Sequence, residues 1–400
     1  MDAAEAVPIA QNVVAGREKV ANELRSALFQ HLRDQGFKLT DRGLIVPVST
    51  DKDSVRNLHA ESVAAQRDRA HGALAKLDTR FARRLRAGSD LNPADIKPRL
   101  EILPTGRSEN ALLWRWCSLH WTIPVSSGYG RRIRALVVDE AHGDAVIGLI
   151  GLADPVFALG VRDKEIGWSR DQRMTKLASV MDAFVLGAVP PYSHLLGGKL
   201  LASLLQSRTL SDAFRERYGH RTTLISERDP DAHLALITTT SALGRSSVYN
   251  RVRRMDGSLV LRPVGFTKGS GDFHLSGAIY DRLAAFAMSD TELGESQRHE
   301  KWGRGFRNRR EVIQKAMSSL GLNSHGMRVH GVHRQVFVSE LASNSLAWLR
   351  GDDAELDWQT LEVDEIAAWW RTRWAIERSK TDHEWSVFDP SDWTLYPQTH

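Results

Sequence analysis

The sequence predicts an α+β protein: a helical N-terminal region, then a mixed, largely antiparallel sheet with packed helices. Three observations predict it. Helical spacing of apolar residues dominates to about residue 100, and short runs rich in Val, Ile and Leu take over from Leu112. The segment IRALVVDEAHGDAVIGLIGL then joins two such runs through a Gly-Asp turn, the mark of an antiparallel hairpin. That hairpin excludes a simple doubly wound parallel sheet.

Taken in order, Val20, Leu24, Leu28 and Leu32 recur at helical spacing, and Val55 to Leu85 repeats the pattern after an interruption at LTDRGLIVPVSTDKD. Pro93, Pro98 and Pro104 mark the following stretch as a linker or a crossing segment before the main domain, so a helical N-terminal domain is expected over 1–104. The runs IRALVVDE, AVIGLIGLADPVFALG, TTLISERD and HLALITTTS read as strands. TKLASVMDAFVLG (Thr175 to Gly187) and GGKLLASLLQSRTLSDAFRERYG (Gly197 to Gly219) read as helices between them, giving a core over 105–285. The remainder, 286–400, reads as a helical extension that completes the core, with HRQVFVSE as a strand. Trp369, Trp370 and Trp374 fall on one side of the last helix, as a packing stripe does.

Composition narrows the function classes. With 42% hydrophobic and 26% charged residues in 400, a packed core is expected rather than disorder. The single cysteine, Cys117, excludes an intramolecular disulfide and a Cys-rich zinc site, and fits a reducing cytoplasm. No signal-like N-terminus and no long uncharged apolar stretch is present, so a cytoplasmic protein away from the membrane is expected. The net charge of +5 is modest, but it is clustered: Arg80, Arg83, Arg84 and Arg86 in one group, and Lys301, Arg304, Arg307, Arg309 and Arg310 around Trp302 and Phe306 in another. Arginines interleaved with aromatics suit phosphate contact and base stacking, and a solvated helix face leaves the same trace.

Three blocks concentrate polar chemistry. RDKEIGWSRDQR offers Arg162 and Arg173 to phosphate and Trp168 to a base, although an Arg-Asp163 ion pair beside a buried tryptophan would read the same way. PPYSHLLGGKLLASLL sets Gly197, Gly198 and Lys199 at a helix start, where free N–H groups and a lysine attract anions; it is not a Walker A loop. ITTTSALGRSSVYNRVRR supplies Thr238 to Ser241, Ser246, Ser247, Tyr249 and Asn250, with Arg245, Arg251, Arg253 and Arg254 adding charge. PVGFTKGSGDFHLS adds Gly265, Thr267, Lys268, Gly269 and Gly271. Glu227, Asp229, Asp231 and His233, and His325, His330 and His333, are the places where a metal could be sought, but their spacing is that of turns and no metal is expected.

Together these blocks resemble the DruA family of the Druantia anti-phage defence systems: RD...IGWS...R, the LLGGKLL helix ending in YG, TTTSALGRSSVYNR, then GFTKGSG, closed by VFVSELASNSLAWLRG and WWRTRWAIERS. The likeness spans most of residues 112 to 376. Some members of that family are fused to transposases, so the resemblance implies work on DNA. A more distant similarity joins the layout to GNAT-type acyltransferases, in particular the phage Mom proteins that modify adenine in DNA, through Leu195 to Ser203, Thr238 to Ser241, Tyr249 with Asn250, and Gly265 to Thr267. It implies a GNAT-like sheet, although no Q/RxxGxG/A loop follows the IGLIGL strand and the donor cofactor stays unknown.

Two readings of function follow. In the first, a defence protein binds single-stranded DNA or a flipped base and modifies it by GNAT-like chemistry, with Asp163, Ser241 or Tyr249 handling protons and Arg162, Trp168, Arg173, Lys199, Arg245, Asn250, Arg251, Arg253, Arg304 and Arg307 holding nucleic acid. In the second, a non-catalytic recognition module delivers a helicase or nuclease partner to DNA. A metal-dependent nuclease is the third possibility and needs an acidic cluster.

Overall fold

A computed structural model describes residues 3–41, 43–125, 130–222, 229–289 and 309–396, with side chains from residue 16 onward. The chain divides into two compact units. The smaller comprises 1–66, 122–124 and 268–333; the larger comprises 67–121, 125–267 and 334–400.

The smaller unit begins with the helix Ala3–Asp34, which buries Leu24, Leu28 and Leu32 at the expected spacing but leaves Val20 on the surface. The predicted interruption is a hairpin, β1 (Phe37–Leu39) with β2 (Ile45–Pro47), turned at Gly43 with φ +70°. The helix Lys52–Leu74 follows, and the helices Ala278–Met288 and Arg309–Ser319 pack on one another.

The larger unit is built on a seven-stranded sheet. Its strands are β3 (Pro98–Ile102), β4 (Arg132–Asp139), β5 (Ala145–Ala153), β6 (Val180–Ala188), β7 (Leu236–Thr240), β8 (Arg262–Phe266) and β9 (Gln335–Glu340), in the spatial order β3-β4-β5-β6-β7-β9-β8. The hairpin of β4 and β5 is present, closed by Gly143 and Asp144 in left-handed conformations. Every neighbouring pair is antiparallel except β6 with β7, which is parallel. The sheet is thus mixed and largely antiparallel, as expected.

Both faces are covered, which is why β5 is buried along its whole length. Ile133, Ala135, Val137, Met181, Ala183, Ile237 and Phe337 meet the helices Gly197–Ser203 and Arg208–Tyr218 and the C-terminal Trp370 and Trp374 on one face. The alternating Leu136, Val138, Val146 and Leu149 meet Phe81, Trp114 and Trp116 on the other, and Val180, Leu236 and Val338 meet Ile166, Trp168 and Trp348 there.

Three expectations are corrected. TKLASVMDAFVLG is not one helix: a short helix Arg170–Lys176 ends at its second residue, and β6 occupies Val180–Ala188. Its buried Val180, Met181, Ala183 and Val185 alternate with half-buried Asp182, Phe184 and Leu186, a period of two that a run of aliphatics masks. The segment Gly197 to Gly219 is two helices, because Ser207 is extended and caps the second by accepting from the Leu210 N–H. The proline-marked linker contains β3, with Pro98 at its first residue on the sheet edge, where no ladder donor is needed. Among the described residues no helix is long and apolar enough to cross a membrane.

Candidate functional site

The parallel pair in the middle of the sheet is where the larger unit opens. Only Val180, Met181 and Asp182 of β6 pair with β7, through Leu236, Ile237 and Thr238. Beyond them β6 keeps pairing with β5 up to Ala188 and β7 with β9 up to Thr240, so the two strands part. Side chains span the gap that the backbones leave. Thr239 donates its hydroxyl to the Ala183 carbonyl at 2.8 Å, and the Tyr249 hydroxyl reaches the Leu186 carbonyl at 3.5 Å.

At the point of divergence Thr238 donates to Asp182 Oδ1 at 2.8 Å. Burial pushes the Asp182 carboxyl up to about 6, against the lowering pull of that hydrogen bond and of the Arg162 charge. Tyr249 is pushed up to about 12, first by burial and then by the Asp182 charge, and its ring stands edge-on to Phe337 with centroids 5.4 Å apart. A carboxylate able to take a proton near neutral pH therefore lies within electrostatic reach of a phenol that keeps its own, Asp182 on the Val180 and Leu236 face of the sheet and Tyr249 on the Phe337 face. Asp182 was not singled out from sequence. The signal was a lone acid inside VMDAFVLG, which is out of place on an apolar strand unless the fold has a use for it.

The loop after β7 is locked rather than open. Buried Ser241 donates its hydroxyl to the Gly244 carbonyl and accepts from the Gln335 N–H at 3.1 Å. Asn250 and Gln335 exchange amide hydrogen bonds, Asn250 Nδ2 to Gln335 Oε1 at 2.9 Å and Gln335 Nε2 to Asn250 Oδ1 at 3.3 Å. Ser246 Oγ accepts from the Tyr249 N–H at 3.1 Å. These polar groups hold the short helical turn Tyr249–Arg251 against β9, and so hold the phenol in place.

The first block forms a closed ion cluster on the helix Gly160–Ile166. Asp163 Oδ1 accepts from Arg162 Nε at 2.9 Å, Arg162 Nη2 at 2.7 Å and Trp168 Nε1 at 3.2 Å; Oδ2 accepts from the Leu159 N–H and Arg173 Nη1, both at 3.0 Å. A carboxylate so surrounded is an anchor. Arg162 is fully buried and also donates to the Val156 and Phe157 carbonyls; burial pulls its guanidinium below the usual range, and Asp163 opposes this. Arg173 stacks over Phe157 at 4.8 Å, and Trp168 lies in the core with Ile166 and Trp348.

The remaining predicted cations are more open. Lys199, in the first turn of Gly197–Ser203, has its ammonium 4.6 Å from the Trp374 ring centre. Arg245, Arg251 and Arg253 are exposed, Arg245 over Phe266 at 5.9 Å and Arg253 donating to the Gly257 carbonyl at 2.6 Å. Arg304 and Arg307 lie outside the described residues, as does Glu227. Of the acids near Glu227, Asp229 meets His220 at 3.1 Å and Asp231 meets Arg215 at 2.7 Å. No group of three or more His, Cys, Asp or Glu among the described residues could hold a metal ion. Cys117 is buried, and burial raises its thiol far above the usual range.

Comparison with known proteins agrees with the pattern of blocks. The family model described as Druantia protein DruA matches residues 49–351. The Druantia protein DruA of Escherichia coli (strain UMEA 4076-1) is 39% identical over 375 residues, covering 92% of this chain and 90% of that protein. No solved structure matches the chain. A family match over most of the length and a full-length relative at this identity leave one assignment: the chain belongs to the DruA family.

Proposed function

We propose that this DruA-family protein acts in anti-phage defence in the cytoplasm, on DNA, and modifies a nucleobase by GNAT-like group transfer in the cleft between β6 and β7. The observation that carries the reading is that Asp182 and Tyr249 lie within electrostatic reach of each other where the parallel strands part. In the step proposed, a base amino nitrogen attacks the carbonyl of an activated acyl donor. The new C–N bond forms as the bond to the leaving group breaks, Asp182 takes the amine proton, and Tyr249 gives its proton to the leaving group. A base inside a duplex could not reach the cleft, so single-stranded DNA or a flipped base is the substrate. On this reading Asp163, Arg162, Trp168 and Arg173 wall the site, Ser241 and Asn250 hold Tyr249, and Lys199, Arg245, Arg251 and Arg253, with Arg304 and Arg307, contact phosphate.

A recognition module that recruits a helicase or nuclease partner is the second reading. It draws on the hydroxyls of Thr238, Thr239 and Ser241, each of which already has a protein partner. Nucleoside mass spectrometry of DNA from phage-challenged cells separates the two. Modification predicts a new nucleoside with the wild-type protein that disappears with Asp182→Asn. An unchanged wild-type profile with DNA binding intact would leave only the recognition module.

A further inference from the structure

Three cations meet on the larger unit without an acid to balance them. Adjacent tryptophans staple the C-terminal helix to two segments: Trp370 Nε1 donates to the Leu196 carbonyl at 3.1 Å, and Trp369 Nε1 donates to the Arg253 carbonyl at 2.9 Å. Lys199 lies just beyond the first attachment and Arg251 just before the second. Arg373, one turn further along the tryptophan helix, closes the group. The Lys199 ammonium is pulled below its usual range by burial and then by the positive charges of Arg373 and Arg251.

Several other cations of the unit are held by acids. Arg99 is matched to Glu140 and Asp144, Arg131 to Asp154, and Arg262 to Glu165 and Glu340. Lys199, Arg251 and Arg373 have no acidic partner among the described residues. Gathering like charges lowers stability unless an anion joins them. Two local features support a ligand. The helix makes a π turn at Arg371–Ala375, the segment that carries Arg373 and Trp374, and such turns recur at functional sites. Leu196 holds a left-handed φ of +60°, a strained conformation for a residue with a side chain.

We infer that Lys199, Arg251 and Arg373, with Trp374 beside Lys199, form a binding site for phosphate groups at the mouth of the cleft. The inference rests on the proposed function for its place there, since Arg251 follows Tyr249 by two residues and Gly197 packs against Ala188 at the end of β6. Either the diphosphate of a soluble donor or the phosphodiester of an entering strand would meet the same three cations. The trio is small and one member is recessed, so it grips one or two phosphates rather than tracking a long backbone.

Calorimetry of the full-length protein tests it, with inorganic pyrophosphate in one arm and a short single-stranded oligothymidylate without terminal phosphates in the other. Lys199→Gln, Arg251→Gln and Arg373→Gln should each weaken binding by roughly tenfold, the worth of one charged hydrogen bond. Each should also melt at or above the wild-type temperature, because removing one cation relieves repulsion; a merely structural role would lower it. Weakened pyrophosphate binding assigns the site to a soluble donor, and weakening confined to the oligonucleotide, with a shallower salt dependence, assigns it to a strand. Binding of both probes unchanged in all three variants, no binding of either probe by the wild type, or lost binding with lowered melting would each overturn the site. Repeating the titrations in Asp182→Asn keeps this test apart from the chemistry: phosphate binding should persist there even if no base is ever modified.

Discussion

Burying Asp182 where β6 and β7 part destabilises the fold, and that effect is measurable. Its folded value of about 6 stands above the ordinary 3.8, so the folded state binds the extra proton between those values. The penalty is absent below pH 4, grows through pH 4 to 6, and is complete above it. Asp182→Asn should therefore raise stability at pH 7.5 by about 1–3 kcal/mol in urea denaturation while abolishing base modification. The rate with the native residue should rise through pH 6 to a plateau, as the carboxylate form accumulates. A flat profile across pH 5 to 7.5 would remove Asp182 from the chemistry. Asp163 behaves in the opposite sense: Asp163→Asn leaves buried Arg162 without its counter-ion and should lower stability by about 3 kcal/mol or more. The same two carboxylates differ because one is ringed by donors and the other meets a single hydroxyl and a low-dielectric wall.

At the scale of elements, the turn that carries Tyr249 is only as firm as the amide pair beneath it. Asn250→Ala leaves the amide of Gln335, which is 8% exposed, without its partner and should cost about 1–3 kcal/mol. Adding Gln335→Ala should cost less than the sum of the two single changes, because the second truncation removes the orphaned group; a denaturant midpoint series measures the difference. The pair also shows what sequence reasoning reaches. The polar richness of TTTSALGRSSVYN was legible, since hydroxyls and amides at that density exceed the needs of a turn. Their partners were not, because Gln335 lies far along the chain on another strand. The hairpin of β4 and β5 was readable from its turn. β6 was not, because VMDAFVLG satisfies helical and strand periods alike and only the neighbours β5 and β7 choose between them. With β6 misread, Asp182 could not be placed beside Thr238 of β7.

For the whole molecule, the two units differ in what acid does to them. The smaller unit packs His31, His59, His274 and His330 around Phe37 and Phe273, with His59–Phe273 ring centres 4.0 Å apart and Phe273–His330 4.8 Å. His274 is fully buried, donates Nε2–H to the Met327 carbonyl at 2.8 Å and leaves Nδ1 without a hydrogen-bond partner. Burial pushes it down to about 3, and the facing His330, His31 and Arg309 add to the lowering. A histidine whose folded value lies below its ordinary 6.5 contributes stability above that pH and loses it as pH falls, because the unfolded chain takes up the proton first. The smaller unit should thus weaken below about pH 6.5 with a slope near 1.4 kcal/mol per pH unit for this one group. Hydrogen exchange of the helices Ala278–Met288 and Arg309–Ser319 at pH 7 and pH 5, corrected for intrinsic rates, reads that loss directly. His274→Gln keeps a donor for the Met327 carbonyl and removes the titration, so it should flatten the dependence; a slope that survives the substitution would assign the acid sensitivity to another group.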